Sequence, residues 1–566
     1  MFSRRLALAL GILAPAVCAP SAFAQNILPP QILDPAVRTA QPPAVASSGD
    51  ILAAPEPGPC PLENSNVRLT LNAVEFRDAP DLPPDTLAAA YAGLIRREIP
   101  VSAICQIRDR ATAILFRRGL LARVEVPEQT IVEGRLTLDV IAAYVAAIQV
   151  QGDAGPAQEK VEDYIERLRG LRPFDINAAQ RYLLLASDIP GVVISASLRS
   201  SSQGRGAVEL DIQVGHVPFG AVLASNNFGA KTAGRVGALA RADFNSFTRF
   251  GERTSLIAYS TFDGNWREQQ AIQALEEARI GSDGLVARLS LAYGSTHPGD
   301  ILRPLNITGK SIVADFRLAY PIIRSRSLNV SVSGGATHVR QDIEVSTIPF
   351  TRDRLSLFIA RLSADKAWSD VPVTLGGGIE LHKGVGSALA GSNACSPGAN
   401  CLLSRFEGRP DAFVQRADGR IAIQWLPLVS TVATFQAQHS NVPLLAYEEF
   451  AIGNLTVGRG YDPSVLSGDS GIGGAAELQI GPFNPGGIAF FAPGLTFVGF
   501  FDIARVWNKD TGGVIRSLRS TGAGLNLQVA RHVQIQVLYS KPLDNVSGLL
   551  ASKPPSRFLF NITVGF

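Results

Sequence analysis

Methionine occurs once in the 566 residues, as the initiator, and histidine only six times, with no pair spaced HxxxH. The five cysteines include no CxxC. Tetrahedral metal sites draw their ligands from such pairs, so no metal or other cofactor is expected. No internal run of about 18 uncharged apolar residues occurs, which argues against a helical membrane span. Neither charge dominates: 52 basic residues stand against 49 acidic ones, for a net charge of +3. Nucleic-acid binders usually carry a marked basic surplus, so nucleic acid is not an expected partner. No Ser-His-Asp spacing or paired carboxylates stand out, and the chain does not read as an enzyme.

What is present begins with an export signal. Arg4 and Arg5 form a basic start, Leu6 to Val17 an apolar centre, and Ala22-Phe23-Ala24 a small-x-small cleavage site. The expectation is a signal peptide over 1–24 and a mature chain from Gln25. Cys18 follows Pro15-Ala16-Val17, and the bulky valine fits a lipid-attachment box poorly. Four cysteines then remain: Cys60, Cys105, Cys395 and Cys401. An even set in an exported chain points to disulfides. Cys395 and Cys401 flank the turn-rich SPGAN and could close a small ring. Cys60 would then pair with Cys105, tying a linker to a helix. Four free thiols are the alternative.

Residues 25–66 are rich in Pro, Ala and small polar side chains. Such a segment buries too little apolar surface to offset its ordering entropy, so it reads as a linker. A short plug element near Ile32 to Thr39 is the other reading. Residues 67–143 follow as a compact α+β unit. VRLTLNAVEF alternates like a strand, Pro84 to Arg97 and Val101 to Arg118 carry helical periodicity, and LARVEVP and RLTLDVI are strands. Gly119 stands where a helix end favours positive φ. Residues 144–217 repeat the order. YVAAIQVQG is a strand, Ala157 to Arg169 a helix, Asp175 the cap of a second helix to Ser187, and VVISASLR and AVELDIQV are strands. Two consecutive units of one element order imply an internal repeat.

From Pro218 to Phe566 convincing helices disappear. About sixteen short alternating segments take their place, from GAVLASNNF to FLFNITVGF, with QQAIQALEEARI the most ambiguous. Each is near the 9–11 residues a tilted strand needs to cross a bilayer. A closed antiparallel barrel is the one strand form that leaves no unpaired edge in lipid. Short turns such as GSDG (281–284) alternate with long connections at 296–310, 337–352, 384–412, 441–472, 506–518 and 542–556. Outer-membrane barrels keep short turns on the periplasmic side and long loops outside. That places Cys395 and Cys401 in an outer loop. An exported, soluble all-β protein is the alternative.

FLFNITVGF ends the chain with Phe558, Phe560, Ile562, Val564 and Phe566 on one face, the pattern of a barrel assembly signal turned to lipid. Two strand-helix-helix-strand-strand modules ahead of a sixteen-stranded barrel resemble the two-partner secretion transporters of the haemolysin secretion and activation type. The modules resemble POTRA domains. VPEQTIVEGRL (126–136), SDIPGV (187–192), NNFGAKTAGRVGA (226–238) and TVGRGYDP (456–463) carry the likeness. The family loop reads Val-Arg-Gly-Tyr or Val-Arg-Gly-Phe. Arg459, Gly460 and Tyr461 match it, while Gly458 stands where valine is usual. The family's Phe-x-Asp-x-Gly strand is met by Phe500 and Asp502, with Ala504 for the glycine.

The resemblance implies that the loop folds into the barrel and that Arg459 meets Asp502. Arginine can form a forked pair with a carboxylate that lysine cannot copy. Asp502 would face the lumen, because a carboxylate in lipid is costly. A phosphate-gripping loop is disfavoured, since no strand-to-helix context follows it. The implied function is an outer-membrane pore, with its modules in the periplasm. It would secrete a large unfolded exoprotein of haemolysin or adhesin type without ATP, the modules catching the client. Periplasmic chaperones, the barrel assembly machinery and outer-membrane lipid are the other implied partners. An insertase for outer-membrane or surface proteins and a passive diffusion porin are the rival readings.

Overall fold

The computed structural model describes residues 59–566, except 80–81, 84, 263–267, 369–370, 397–399, 455, 484–493, 510–513, 530–531 and 547–552. The expected signal peptide and nearly all of the linker or plug segment lie outside the described residues.

The first unit holds β1 (Arg68–Leu71), β2 (Ala73–Arg77), β3 (Arg97–Pro100), α1 (Ala103–Arg117), β4 (Ala122–Glu125) and β5 (Arg135–Ala142). The stretch Pro84 to Arg97 is not the expected helix. Among its described residues only a short 3-10 turn forms, at Ala88–Ala90. Arg97–Pro100 instead pairs antiparallel with β1. Strand pairing that buries Ile99 overrides the local helical signal. VRLTLNAVEF accordingly splits at Asn72, its halves serving two sheets. α1 buries Ile104, Ile107, Ala111 and Leu115 against Leu136 and Leu138 of β5, a 3.6-residue stripe meeting an alternating one. Gly119 closes the helix with φ +86°. A disulfide joins Cys105 of α1 to Cys60, with Cα atoms 5.8 Å apart.

The second unit holds β6 (Tyr144–Gly152), α2 (Gln158–Arg169), α3 (Ile176–Ser187), β7 (Val192–Ser200) and β8 (Ala207–His216). Asp175 caps α3, accepting from the backbone N–H of Asn177 at 2.8 Å and Ala178 at 3.1 Å. The sheet order is β6-β8-β7, so β7 is an edge.

The barrel follows as β9 (Phe219–Asn226), β10 (Gly237–Asn245), β11 (Arg253–Thr261), β12 (Gln269–Ile280), β13 (Leu285–Thr296), β14 (Ile307–Arg324), β15 (Leu328–Val345), β16 (Ile348–Ala367), β17 (Val373–Gly384), β18 (Phe413–Leu426) and β19 (Val429–Ser440). After a long loop containing the short pair β20 (Phe450–Ile452) and β21 (Leu466–Gly468) come β22 (Ser470–Phe483), β23 (Leu495–Trp507), β24 (Ile515–Val529), β25 (Val533–Pro542) and β26 (Arg557–Gly565). β9–β19 and β22–β26 close into one antiparallel barrel of sixteen strands. QQAIQALEEARI is β12. Closure is made by β26, whose Asn561 to Gly565 pair with Asn226 to Val222 of β9. Phe558 and Phe566 face outward, and the backbone of Phe566 bonds Ala221.

Two expectations about strand and loop length need correction. β14, β15 and β16 run 18, 18 and 20 residues, well past a bilayer crossing. The expected long loop at 337–352 is therefore a tight turn at Ser346-Thr347, both at positive φ, atop a projecting hairpin. The expected loop at 506–518 shortens to 508–514, because Arg516 and Ser517 pair with Val506 and Arg505.

The second unit docks on the short-turn end. Arg324 holds Asp188 by two bonds, Nε–Oδ2 at 2.8 Å and Nη2–Oδ1 at 2.7 Å. Arg181 donates to the Pro321 carbonyl at 2.9 Å, and Arg167 to Ser282 Oγ at 3.0 Å. The loops 385–412 and 441–469 lie at the opposite end. Cys395 and Cys401 are bonded within the first of these.

Candidate functional site

Loop 441–469 folds back into the barrel, and TVGRGYDP sits at its innermost part. Strand alternation puts Val498, Phe500, Asp502, Ala504 and Val506 of β23 on the inner face, all buried. Asp502 lies fully inside, within reach of the loop. Arg459 donates to Asp502 through Nη2 to Oδ1 at 2.6 Å and through Nε to Oδ1 at 3.2 Å and Oδ2 at 3.1 Å. Its own backbone N–H donates to Oδ2 at 2.8 Å, and Ser520 Oγ donates to the same oxygen at 3.0 Å. The remaining guanidinium nitrogen, Nη1, donates to Glu477 of β22. The guanidinium carbon stands 3.7 Å from the centre of the Phe500 ring, a cation–π contact. Burial works against the charged guanidinium, but Asp502 and then Glu477 outweigh it and hold the pKa above its ordinary value.

Tyr461 is fully buried two residues on. Its hydroxyl accepts from the Asp544 N–H and lies 2.9 Å from the carbonyl oxygens of Arg519 and Asp544. Gly460 is packed so closely that a Cβ there would lie 2.8 Å from Pro542 N. Gly458 has φ +117°, and a Cβ on it would meet Leu518 Cδ1 at 2.5 Å. The valine expected at that position sits one residue earlier. Val457 is buried with Ala504 and Leu518, and both Val457 and Ala504 cover the bare backbone of Gly473. Ala504, the second departure from the family pattern, lies in the same apolar cluster as Val457.

Sequence reasoning singled out Arg459, Gly460, Tyr461, Phe500 and Asp502, and all five converge here. It missed Glu477 and Ser520, both lumen-facing by alternation on the strands flanking β23. Glu477 is the only acid on β22, which was the available signal. It also missed Asp462, which receives Arg557 Nη1 at 2.6 Å and Arg235 Nη1 at 3.3 Å. Asp462 thereby ties the loop to both sides of the closing seam, and Arg235 belongs to NNFGAKTAGRVGA. A second node lies toward the loop's outer end. Arg405 from loop 385–412 forks onto Asp469 at 2.6 and 3.1 Å and reaches Glu449 at 3.1 Å. Burial pushes the Glu449 carboxyl up to about 7.

A model described as haemolysin secretion/activation protein ShlB/FhaC/HecB matches residues 204–527, and a ShlB-type POTRA domain model matches 69–143. The heme/hemopexin transporter protein HuxB of Haemophilus influenzae is 20% identical over 485 residues, spanning 83% of this chain and 82% of HuxB. CdiB from Escherichia coli has a similar fold, with a TM-score of 0.74 at 15% identity over 98% of this chain and 99% of that one. CdiB from Acinetobacter baumannii gives 0.63 at 15% identity, over 94% and 93%. The family match covers more than half of the residues, and this chain belongs to the haemolysin secretion/activation family of two-partner secretion outer-membrane transporters.

Proposed function

We propose that this chain is the pore through which one large exoprotein, of haemolysin or adhesin type, passes unfolded from periplasm to cell surface without ATP. The observation that carries this reading is loop 441–469, drawn into a closed barrel and held there by Arg459 on Asp502 and Glu477. A passive diffusion porin has no use for a module docked at its mouth. The outward side chains of β23, Phe497, Phe501 and Ile503, are exposed and apolar, which supports a lipid-facing wall.

The docked second unit would catch the client. Its edge strand β7 offers unpaired backbone for strand addition, and Val193 is exposed on it. Folding of the client outside would then bias net movement outward. HuxB is named as a heme/hemopexin transporter; for this chain the cargo is the partner protein itself.

The test is export of a large partner encoded beside this chain. Deleting the chain stops the partner from reaching the surface while other barrel proteins stay at normal levels. General loss of barrel proteins would favour an insertase instead. Single cysteines at Val193, Ser195 and Ser197 cross-link to an arrested client; no cross-link at any of them removes the β7 assignment.

A further inference from the structure

We propose that the outward face of β14, β15 and β16, just above the apolar band of the barrel wall, binds the phosphate-bearing headgroup of an outer-leaflet lipid. The proposal needs the barrel to span the outer membrane and does not depend on what passes through it. Strand alternation sets the face. Val339, Leu355, Leu357 and Ile359 pack with Leu445 of the inward-folded loop, so odd-numbered side chains of β15 and β16 face the lumen and even-numbered ones face out. On β14 the outward row of Ile312, Phe316, Tyr320 and Ile322 is exposed and apolar, and Phe358 continues it on β16. From Ile312 to Ile322 a strand tilted by about 45° rises about 25 Å, the height of a lipid-facing band.

At its outer end this face turns basic. Lys310 is the next outward position beyond Ile312 on β14. Register sets Arg340 of β15 between Ile312 and Arg354 of β16, and sets Asp342 between Lys310 and Arg352. Asp342 accepts from Arg340 Nε at 2.7 Å and lies 3.2 Å from Arg352 Nε. One carboxylate thus serves two arginines. The side chains of Lys310 and Arg354 make no hydrogen bond or ion pair among the described residues. Glu344, the next outward position of β15, is the other acid on this face.

Like charges directly opposite one another on paired strands repel. Arg340 and Arg354 are held in that arrangement with one shared acid nearby, so the face calls for an anion from its surroundings. Its position says which anion. The cations stand at the top of the apolar band, at headgroup level, where basic side chains attract anionic lipids. Guanidinium forks match phosphate oxygens. A lipid meets both halves of the face at once: its acyl chains lie along Phe316 and Phe358, and its phosphate reaches Lys310, Arg340 and Arg354. A free phosphate ion uses the cations alone and leaves the apolar half unexplained. The second unit docks at the other end of the barrel, which assigns this end to the outer leaflet.

Full-length protein in neutral detergent tests this, with diphosphoryl lipid A as the probe and its dephosphorylated form for comparison. Native mass spectrometry reads bound lipid, and heat-modifiable gel migration reads barrel melting. Lys310→Gln with Arg354→Gln removes two cations that hold nothing in the fold. Each surface cation contributes about fivefold, so the double variant binds the phosphorylated lipid roughly thirtyfold more weakly. Its melting without lipid matches wild type, and the lipid no longer raises it. Arg123→Gln with Arg205→Gln, at side chains 63% and 67% exposed on the two periplasmic units, removes equal charge and leaves binding intact. Undiminished binding in Lys310→Gln/Arg354→Gln overturns the site. Equal loss in the Arg123/Arg205 variant means bulk charge attraction and also overturns it. Equal binding of the dephosphorylated lipid, or displacement of the lipid by millimolar inorganic phosphate, removes the lipid phosphate as the ligand. If the double variant does not fold, Arg354→Gln alone decides, with a loss of about fivefold expected.

Discussion

Arg459→Ala removes a cation held between two carboxylates inside the barrel. The side chains of Arg459, Glu477 and Asp502 are 13%, 16% and 1% exposed, so water cannot take over the lost contacts. Asp502 keeps only the Arg459 backbone N–H at 2.8 Å and the Ser520 hydroxyl at 3.0 Å. Breaking one side of a buried pair costs about 3–5 kcal/mol, mostly the penalty of the stranded charge. That lowers the docked-to-undocked ratio of the loop by roughly a hundred- to several-thousand-fold. The assay pairs partner export with limited proteolysis of loop 441–469 in intact cells. Export is lost, the loop becomes cleavable, and the barrel still shifts on heating as a folded one does. Arg459→Lys fails nearly as badly, because one ammonium cannot fork onto Asp502 and also reach Glu477. The double variant Arg459→Met/Asp502→Leu docks better than Arg459→Ala, since no charge is stranded. Full export and an uncleaved loop in Arg459→Ala would refute the reasoning.

Three further outcomes follow from separate contacts. Gly458→Val, which restores the usual family residue, loosens the loop by about 1–3 kcal/mol, because φ is +117° and a Cβ meets Leu518 at 2.5 Å; the protease assay reads it. Removing the Cys60–Cys105 bond, which spans a separation of 45 residues, costs the first unit about 4 kcal/mol by chain entropy, read as a lower denaturant midpoint for cleavage within that unit. Glu449 has its carboxyl raised from 4.5 to about 7 by burial. The folded loop therefore binds this proton more tightly than the unfolded chain does. Its contribution is fully present below about pH 4.5 and is lost as pH rises through about 7. Loop protection falls over that window in wild type and stays flat in Glu449→Gln.

The alternating segments of the barrel were legible because each strand has one face in lipid and one in the lumen, and that chemistry repeats every two residues. The same pattern hid where the crossing ends: β15 and β16 keep alternating beyond the wall, since a projecting hairpin also has two unlike faces. The periodicity of Pro84 to Arg97 read as helix until β1 claimed Arg97–Pro100, a choice made by a strand thirty residues away. At the site, Arg459, Tyr461 and Asp502 stood out by motif, and β23 alternation placed Asp502 inward. Glu477 and Ser520 carry no motif, and Asp462, though inside TVGRGYDP, has no signal of its own; they matter because barrel closure and register bring β22, β24 and β26 against one loop. Likewise His382 of β17 meets Glu448 of the loop across a separation of 66 residues. By itself the sequence determined most element types and the alternating strands of the barrel, because these follow from local periodicity, while the arginine loop was legible only through its likeness to a family motif. Which strands stand opposite one another across the lumen, and therefore what each end of the loop can grip, was decided only by closure of the barrel, since through-space distance across a closed sheet has no counterpart in chain order.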